Sequence, residues 1–176
     1  VIQVEPPGGS SARQTGPWLD DVPGPERSLF WWAYARNKRS LVIDFDDPSE
    51  IEVLRQLAAG ADFWIESEQP GVLASHGLAP ADILARHPSL VLTSISDFGQ
   101  TGPYRDWQGT DMIGFAMGGM MSRGGIPEKP PLAAPGALAY DAAGITAGYA
   151  TLLAYWQRLR CGRGQHVDDS VFESVA

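Results

Sequence analysis

Asp141 is the only charged residue between Lys129 and Arg158, and it stands in a run of small and apolar residues from Gly136 to Gly148. A lone carboxylate in such a run needs hydrogen bonds or a helix N-terminus to remain ionised. Two readings follow from the residues. Asp141 can be the N-cap of a helix beginning at Ala142. Alternatively it is a reactive carboxylate, and Ala142, Ala143 and Gly144 leave room for a bulky ligand to reach its oxygens. A second segment of interest runs Ser94-Ile-Ser-Asp-Phe-Gly-Gln-Thr-Gly-Pro103. The apolar stretch Leu90 to Ile95 reads as a short buried strand, and Gly99, Gly102 and Pro103 turn it into a loop. Strands that empty into glycine-rich loops are where α/β sheets bind ligands.

The elements that must position these residues can be traced along the chain. Val1 to Val4 and Leu41 to Ile43 read as strands. Residues 6–28 between them hold five prolines and four glycines and predict a long surface loop. Leu29 to Ala35, with Phe30, Trp31, Trp32 and Tyr34, predicts a short packed helix. Asp47, Pro48 and Glu50 predict a capping box opening a helix that Gly60 ends. Phe63 to Ile65 is the next strand, and a short helix follows Pro80. Beyond the glycine-rich loop the pattern turns helical over Asp111 to Met121 and again from Leu138 to Leu159. Thr110 reads as the N-cap of the first of these and Asp111 as its first-turn charge. Gly144 and Gly148 predict close packing of the second helix. Gln165 to Val167 adds a last strand. There Asp168, Asp169 and Glu173 read as solvated or capping acids, and His166 as structural. Strands alternating with helices in this way predict an α/β fold with a mainly parallel sheet.

Composition narrows the function. The 176 residues fit one domain, and 44% apolar content supports a sizeable core. A net charge of −8 argues against nucleic acid as a partner. No apolar run reaches membrane-spanning length. The one cysteine, Cys161, cannot pair internally and fits a cytoplasmic location. His76, His87 and His166 are scattered, so no metal site is expected.

Five segments in register resemble the family III CoA-transferases, the group that includes formyl-CoA transferase, carnitine CoA-transferase and α-methylacyl-CoA racemase. They are Val1 to Pro7, Asn37-Lys-Arg-Ser40, Pro70-Gly-Val-Leu73, Phe98-Gly-Gln-Thr-Gly-Pro-Tyr104 and Gly162-Arg-Gly-Gln-His-Val-Asp168. The resemblance implies a Rossmann-like domain incomplete at both ends, an internal fragment of the large domain. A strand and helix would precede it, and a small domain would follow. It further implies an interlocked homodimer that takes acyl-CoA and a small carboxylic acid, with no permanently bound cofactor. Asp141 matches the family nucleophile, which forms an acyl anhydride and then an aspartyl-CoA thioester. Glycines 118 and 119 are candidate sources of oxyanion-binding amides.

The resemblance also assigns CoA contacts to Ile43, Asp46, Ser67, Glu68, Val72, Ser75 and Gln108. Here the chain departs from the family. Ile43-Asp-Phe-Asp46 stands for Leu-Asp-Leu-Lys, Glu66-Ser-Glu-Gln-Pro-Gly71 for Glu-Asn-Phe-Arg-Pro-Gly, and Ser75 for an arginine. Arg36, Lys38 and Arg39 remain as local positive charge. Two rival functions follow. One is an acyl-CoA racemase, disfavoured because Thr110 stands where that branch has histidine. The other is a catalytically degenerate CoA-binding or subunit-like protein, favoured by Asp46, Glu68 and Ser75.

Overall fold

The computed structural model describes residues 1–176, which divide into two compact units, Val1–Arg55 and Gln56–Ala176. In the first unit β1 (Ile2–Glu5) and β2 (Arg39–Val42) pair in parallel, Ile2 opposite Arg39 and Glu5 opposite Val42. Between them the proline- and glycine-rich segment forms tight turns and leads into α1 (Leu29–Tyr34). Ser28 caps α1 by accepting from the Trp31 amide at 3.0 Å. Helix α2 (Pro48–Ala59) follows β2 and runs across the division. Asp47 caps it, its carboxylate accepting from Ser49 N at 2.8 Å. The expected reciprocal arm of the capping box lands elsewhere, since Glu50 accepts from Asp44 N at 2.6 Å.

A buried carboxylate organises this unit. Glu5 is 1% exposed and accepts from Arg13 Nε at 2.6 Å, Arg13 Nη2 at 2.9 Å, Ser10 N at 2.9 Å and Ser40 Oγ at 2.6 Å. The same guanidinium lies 4.2 Å above the Trp31 ring. One ion pair therefore ties the loop to both strands and to α1.

The second unit is built on β3 (Phe63–Glu66), β4 (Val91–Ser96) and β5 (His166–Ser170), parallel in the order β3-β4-β5. Helices α3 (Val72–Ser75) and α4 (Pro80–Arg86) connect β3 to β4. Helices α5 (Asp111–Met117) and α6 (Leu138–Cys161) connect β4 to β5, and α7 (Val171–Ser174) follows β5. All but one residue of β4 are buried, as parallel strands covered on both faces must be. Helix α6 buries Ala139, Ala143, Ala147, Thr151 and Ala154, a stripe at helical spacing. Small side chains let the helix come close enough for Thr93 and Thr151 to share a hydrogen bond of 2.7 Å. Thr151 donates onward to Ala147 O, so Thr93 is the donor of the pair.

Two helical expectations need correction. Helix α5 ends at Met117, because Gly119 turns out of it at φ +81°, and a tight turn over Met120–Arg123 follows. Gly144 and Gly148 do not mediate close packing within this chain, where a Cβ at either would meet nothing within 4 Å. They fall beside the alanine stripe, on the side that also carries exposed Ile145, Tyr149, Leu152 and Trp156. No helix is long and apolar enough to cross a membrane.

Arg13 hydrogen bonding lowers the Glu5 pKa to about 2, against the opposing effect of burial. A depressed carboxylate stabilises the fold above its ordinary range, and that stability fades as pH falls from about 4.5 toward 2. Glu5→Gln should cost about 3 kcal/mol at neutral pH, since Arg13 loses its buried carboxylate partner and keeps only the exposed Glu26. Thermal unfolding at pH 7 and pH 3 should show the gap between wild type and variant narrowing in acid. A gap independent of pH would contradict the ion-pair account.

Candidate functional site

The glycine-rich loop leaving β4 is held at both ends by carboxylates. Asp168, on β5, accepts from the Gln100 amide with both oxygens at 3.0 Å. Asp97, the residue after β4, accepts from the Gly109 amide at 2.8 Å. A Cβ on Gly109 would lie 2.7 Å from Asp97 Cγ, so the loop's return requires glycine. Gly99, at φ +85°, turns the chain beside Asp168 and Ser170. Between these anchors Phe98, Tyr104 and Trp107 pack on one another, with the Tyr104 and Trp107 centroids 4.5 Å apart and each about 6 Å from Phe98. The Phe172 amide donates to Asp97 O at 3.0 Å and its ring also meets Phe98.

The loop delivers the chain to α5. Thr110 caps α5 as expected, accepting from Ile113 N at 3.3 Å. Asp111 does more than the sequence predicts. Its Oδ1 accepts from Ala139 N at 2.7 Å and Tyr140 N at 3.1 Å, the opening amides of α6. The residue at the N-cap position of α6 is Ala137, which has no side-chain acceptor. Asp141 is therefore not a cap and the helix does not begin at Ala142. It starts at Leu138, and Asp141 closes its first turn by donating its amide to Ala137 O at 2.8 Å. The Asp141 side chain is exposed. Beside it the Tyr140 phenol is shifted above its ordinary pKa by burial, then by the charges of Asp97 and Asp111 and a hydrogen bond to Asp97.

The amides of Gly118 and Gly119 are not available as an oxyanion hole. Gly118 N donates to Gly114 O at 2.9 Å and Gly119 N to Ala116 O at 3.1 Å. Gly118 is also pressed against the Val175 carbonyl. Glycine there serves chain packing.

The other expected contact residues fall into three groups. In the first unit Ile43 is buried beyond β2, its amide donating to Glu5 O, and Asp46 is exposed with its amide on Asp44 Oδ1 at 2.9 Å. In the second, Ser67 and Glu68 are exposed after β3, and the Glu68 amide donates to Glu66 at 2.8 Å. Val72 and Ser75 begin and end α3, and Ser75 Oγ donates to Val72 O at 2.7 Å. Gln108 is exposed on the loop before α5. Next to the β3–α3 connection lies an open recess of about 150 Å³. It is lined by Glu66, Gln69, Gly71, Leu73, Ala74, Pro80, Gln100 and Arg105. Burial raises the Glu66 pKa, while the Ser94 hydroxyl opposes that shift. Sequence reasoning assigned no role to Asp97, Glu66 or Arg105. The usable signal for Asp97 was its position directly after a buried strand, twelve residues before a glycine.

The model of CoA-transferase family III matches residues 1–176, and the chain belongs to that family. It is 39% identical to the succinyl-CoA–D-citramalate CoA-transferase of Chloroflexus aurantiacus, over 99% of this chain and 43% of that protein. It is 38% identical to a probable CoA-transferase of Mycobacterium tuberculosis, over 99% of this chain and 22% of that protein. A CaiB/BaiF family protein of Brucella suis superposes with a TM-score of 0.91 at 34% identity, over 99% of this chain and 46% of that one. The chain thus spans less than half the length of these relatives.

The acids of β5 behave differently from a solvated set. Asp169 is 6% exposed, and burial pushes its carboxyl up to about 6. Ser174 Oγ donates to it at 3.4–3.5 Å, and the neighbouring Asp168 and Glu173 charges add to the shift. Because the folded pKa is raised, the protonated form is favoured in the fold. Stability is therefore lost as pH rises from about 4 through about 6, by about 2–3 kcal/mol in all. Asp169→Asn should be more stable than wild type at pH 8 and nearly level with it at pH 4.5. Denaturant titrations at the two values measure this, and an equal difference at both would show that Asp169 is ionised in the fold throughout.

Proposed function

We propose that the protein transfers coenzyme A from an acyl-CoA donor to a carboxylic acid acceptor, with Asp141 as the nucleophile. The observation that carries this reading is the division of labour at the start of α6. Asp111 takes the capping role, and Asp141 is left with its carboxylate exposed in a segment of alanine and glycine. Family membership supports the reaction class. An Asp141 oxygen attacks the thioester carbonyl, the C–S bond breaks, and CoA leaves as thiolate. The thiolate then attacks the aspartyl carbonyl of the anhydride, releasing the donor acid and leaving an aspartyl-CoA thioester. The acceptor carboxylate attacks that thioester and expels the thiolate, which finally takes the new acyl group and frees Asp141. Coenzyme A is substrate throughout, not a resident cofactor. A cytoplasmic homodimer goes with this reading.

Thr110 supports transfer over racemisation, since its hydroxyl is committed to the Ile113 amide and offers no base. A second reading, CoA binding without turnover, is favoured by the exposed carboxylates Asp46 and Glu68 at positions expected to meet an anionic ligand.

In the full-length protein, with succinyl-CoA as the probe donor, Asp141→Asn should lower CoA exchange by at least about 1000-fold and leave the unfolding midpoint unchanged. Mass spectrometry after incubation should find the wild-type adduct on the peptide containing Asp141. Undiminished exchange in the Asn variant would refute the assignment.

Asp46→Lys replaces repulsion by attraction at a solvated position and should tighten CoA binding about fivefold at low salt. Calorimetry should show that gain shrinking as ionic strength rises. An unaltered affinity would remove Asp46 from the CoA site.

A further inference from the structure

Asp111 begins α5, yet α5 does not need it. The N-terminal amide at Ile113 is already satisfied by Thr110. The Asp111 carboxylate instead reaches residues 28 and 29 positions further along the chain and accepts from both Ala139 and Tyr140. Those two amides lie inside the first hydrogen-bonded ring of α6, the ring closed by the bond from Asp141 N to Ala137 O. A helix start without a capping side chain frays, because its first amides have no partners. Here the partner comes from another helix.

The turn is also blocked from behind. Ala139 and Ala143, fully buried on either side of Asp141, pack with Phe115, Val171 and Val175. Sliding α6 along its axis would open that cluster and break both bonds to Asp111. The backbone that carries Asp141 is therefore held by a group that lies outside its own helix.

Resting on the reading of Asp141 as nucleophile, we propose that Asp111 is the positioning residue for that carboxylate. It acts through the two amides it holds and does not itself touch the substrate. A displacement of about 1 Å in a reacting group costs on the order of a hundredfold in rate. Loss of the cap should therefore slow attack on the thioester while leaving CoA affinity intact.

The test uses the full-length protein and compares Asp111→Ala, Asp111→Asn and Asp111→Glu. Asn keeps an oxygen at the same reach without the charge, and Glu keeps the charge but moves the oxygen by one methylene. Rapid quench with succinyl-CoA followed by mass spectrometry gives the rate at which Asp141 is modified. Ala and Glu should slow it about 10- to 100-fold, with CoA affinity by calorimetry within twofold of wild type. Asn should restore the rate to within about threefold. Hydrogen exchange of the peptide spanning residues 138–141 should be faster in Ala and Glu but not in Asn. If Ala fails to fold, the contrast between Asn and Glu decides. A wild-type modification rate in Glu overturns the proposal while leaving Asp141 as nucleophile. Failure of wild type to be modified at Asp141 overturns the reading beneath it, and this proposal with it.

Discussion

Backbone amides at the points where this chain turns have to find acceptors, and carboxylates distant in sequence supply them. Glu5 takes the Ser10 amide as well as the Arg13 guanidinium. Asp168 takes Gln100 across 68 residues, Asp97 takes Gly109 across 12, and Asp111 takes Ala139 and Tyr140 across 28 and 29. A hydrogen bond to a charged acceptor contributes about 1.5–3 kcal/mol, less where the pair is exposed, so each of these acids favours one conformation of the segment it serves. The loop after β4 and the start of α6 have their shapes because of them. Removing the charge alone would matter less than removing the oxygen.

Much of the architecture was legible because its causes are local. Short apolar runs and glycine punctuation placed all five strands, and helical spacing placed α2 and α6 to within a few residues. Thr110 and Asp47 were legible as caps because a cap bonds an amide two or three positions away. What escaped the sequence was every feature whose cause is remote. Ala137 cannot cap, so the start of α6 reads as indefinite until Asp111 is seen beside it. The end of α5 is the exception, with a local cause: Gly119 turns the chain at φ +81° short of the expected Met121. Asp169 looked like any acid beside Asp168, yet strand alternation sends the two to opposite faces of the sheet, and only one is buried.

The candidate site was legible in the same partial way. Asp141 stood out as a lone charge, and its neighbours' small size was visible. The capping of Ala139 and Tyr140 by Asp111 was not, because it joins residues 28 and 29 positions apart. The contrary lesson comes from Gly118 and Gly119. Their composition invites an oxyanion hole, but both amides are consumed within the chain, so glycine content alone says nothing about free donors.

Helix α6 carries the consequences of this arrangement to both of its long faces. One face is narrow and buries Ala139, Ala143, Ala147, Thr151 and Ala154, the first two against Phe115, Val171 and Val175 and Thr151 against Thr93 of β4. The opposite side presents Ile145, Tyr149, Leu152, Trp156 and Leu159, each more than 60% exposed. A helix held only by small side chains gains little burial per residue, since alanine removes few apolar atoms from water. Its register must then depend more on directional bonds than on bulk. Three such bonds hold it: Asp111 to Ala139 and to Tyr140 at the start of the buried stripe, and the Thr93–Thr151 pair three turns on. Because hydrogen bonds tolerate far less displacement than apolar contacts do, this pinning sets the height of Asp141 above the sheet more tightly than a larger hydrophobic face would.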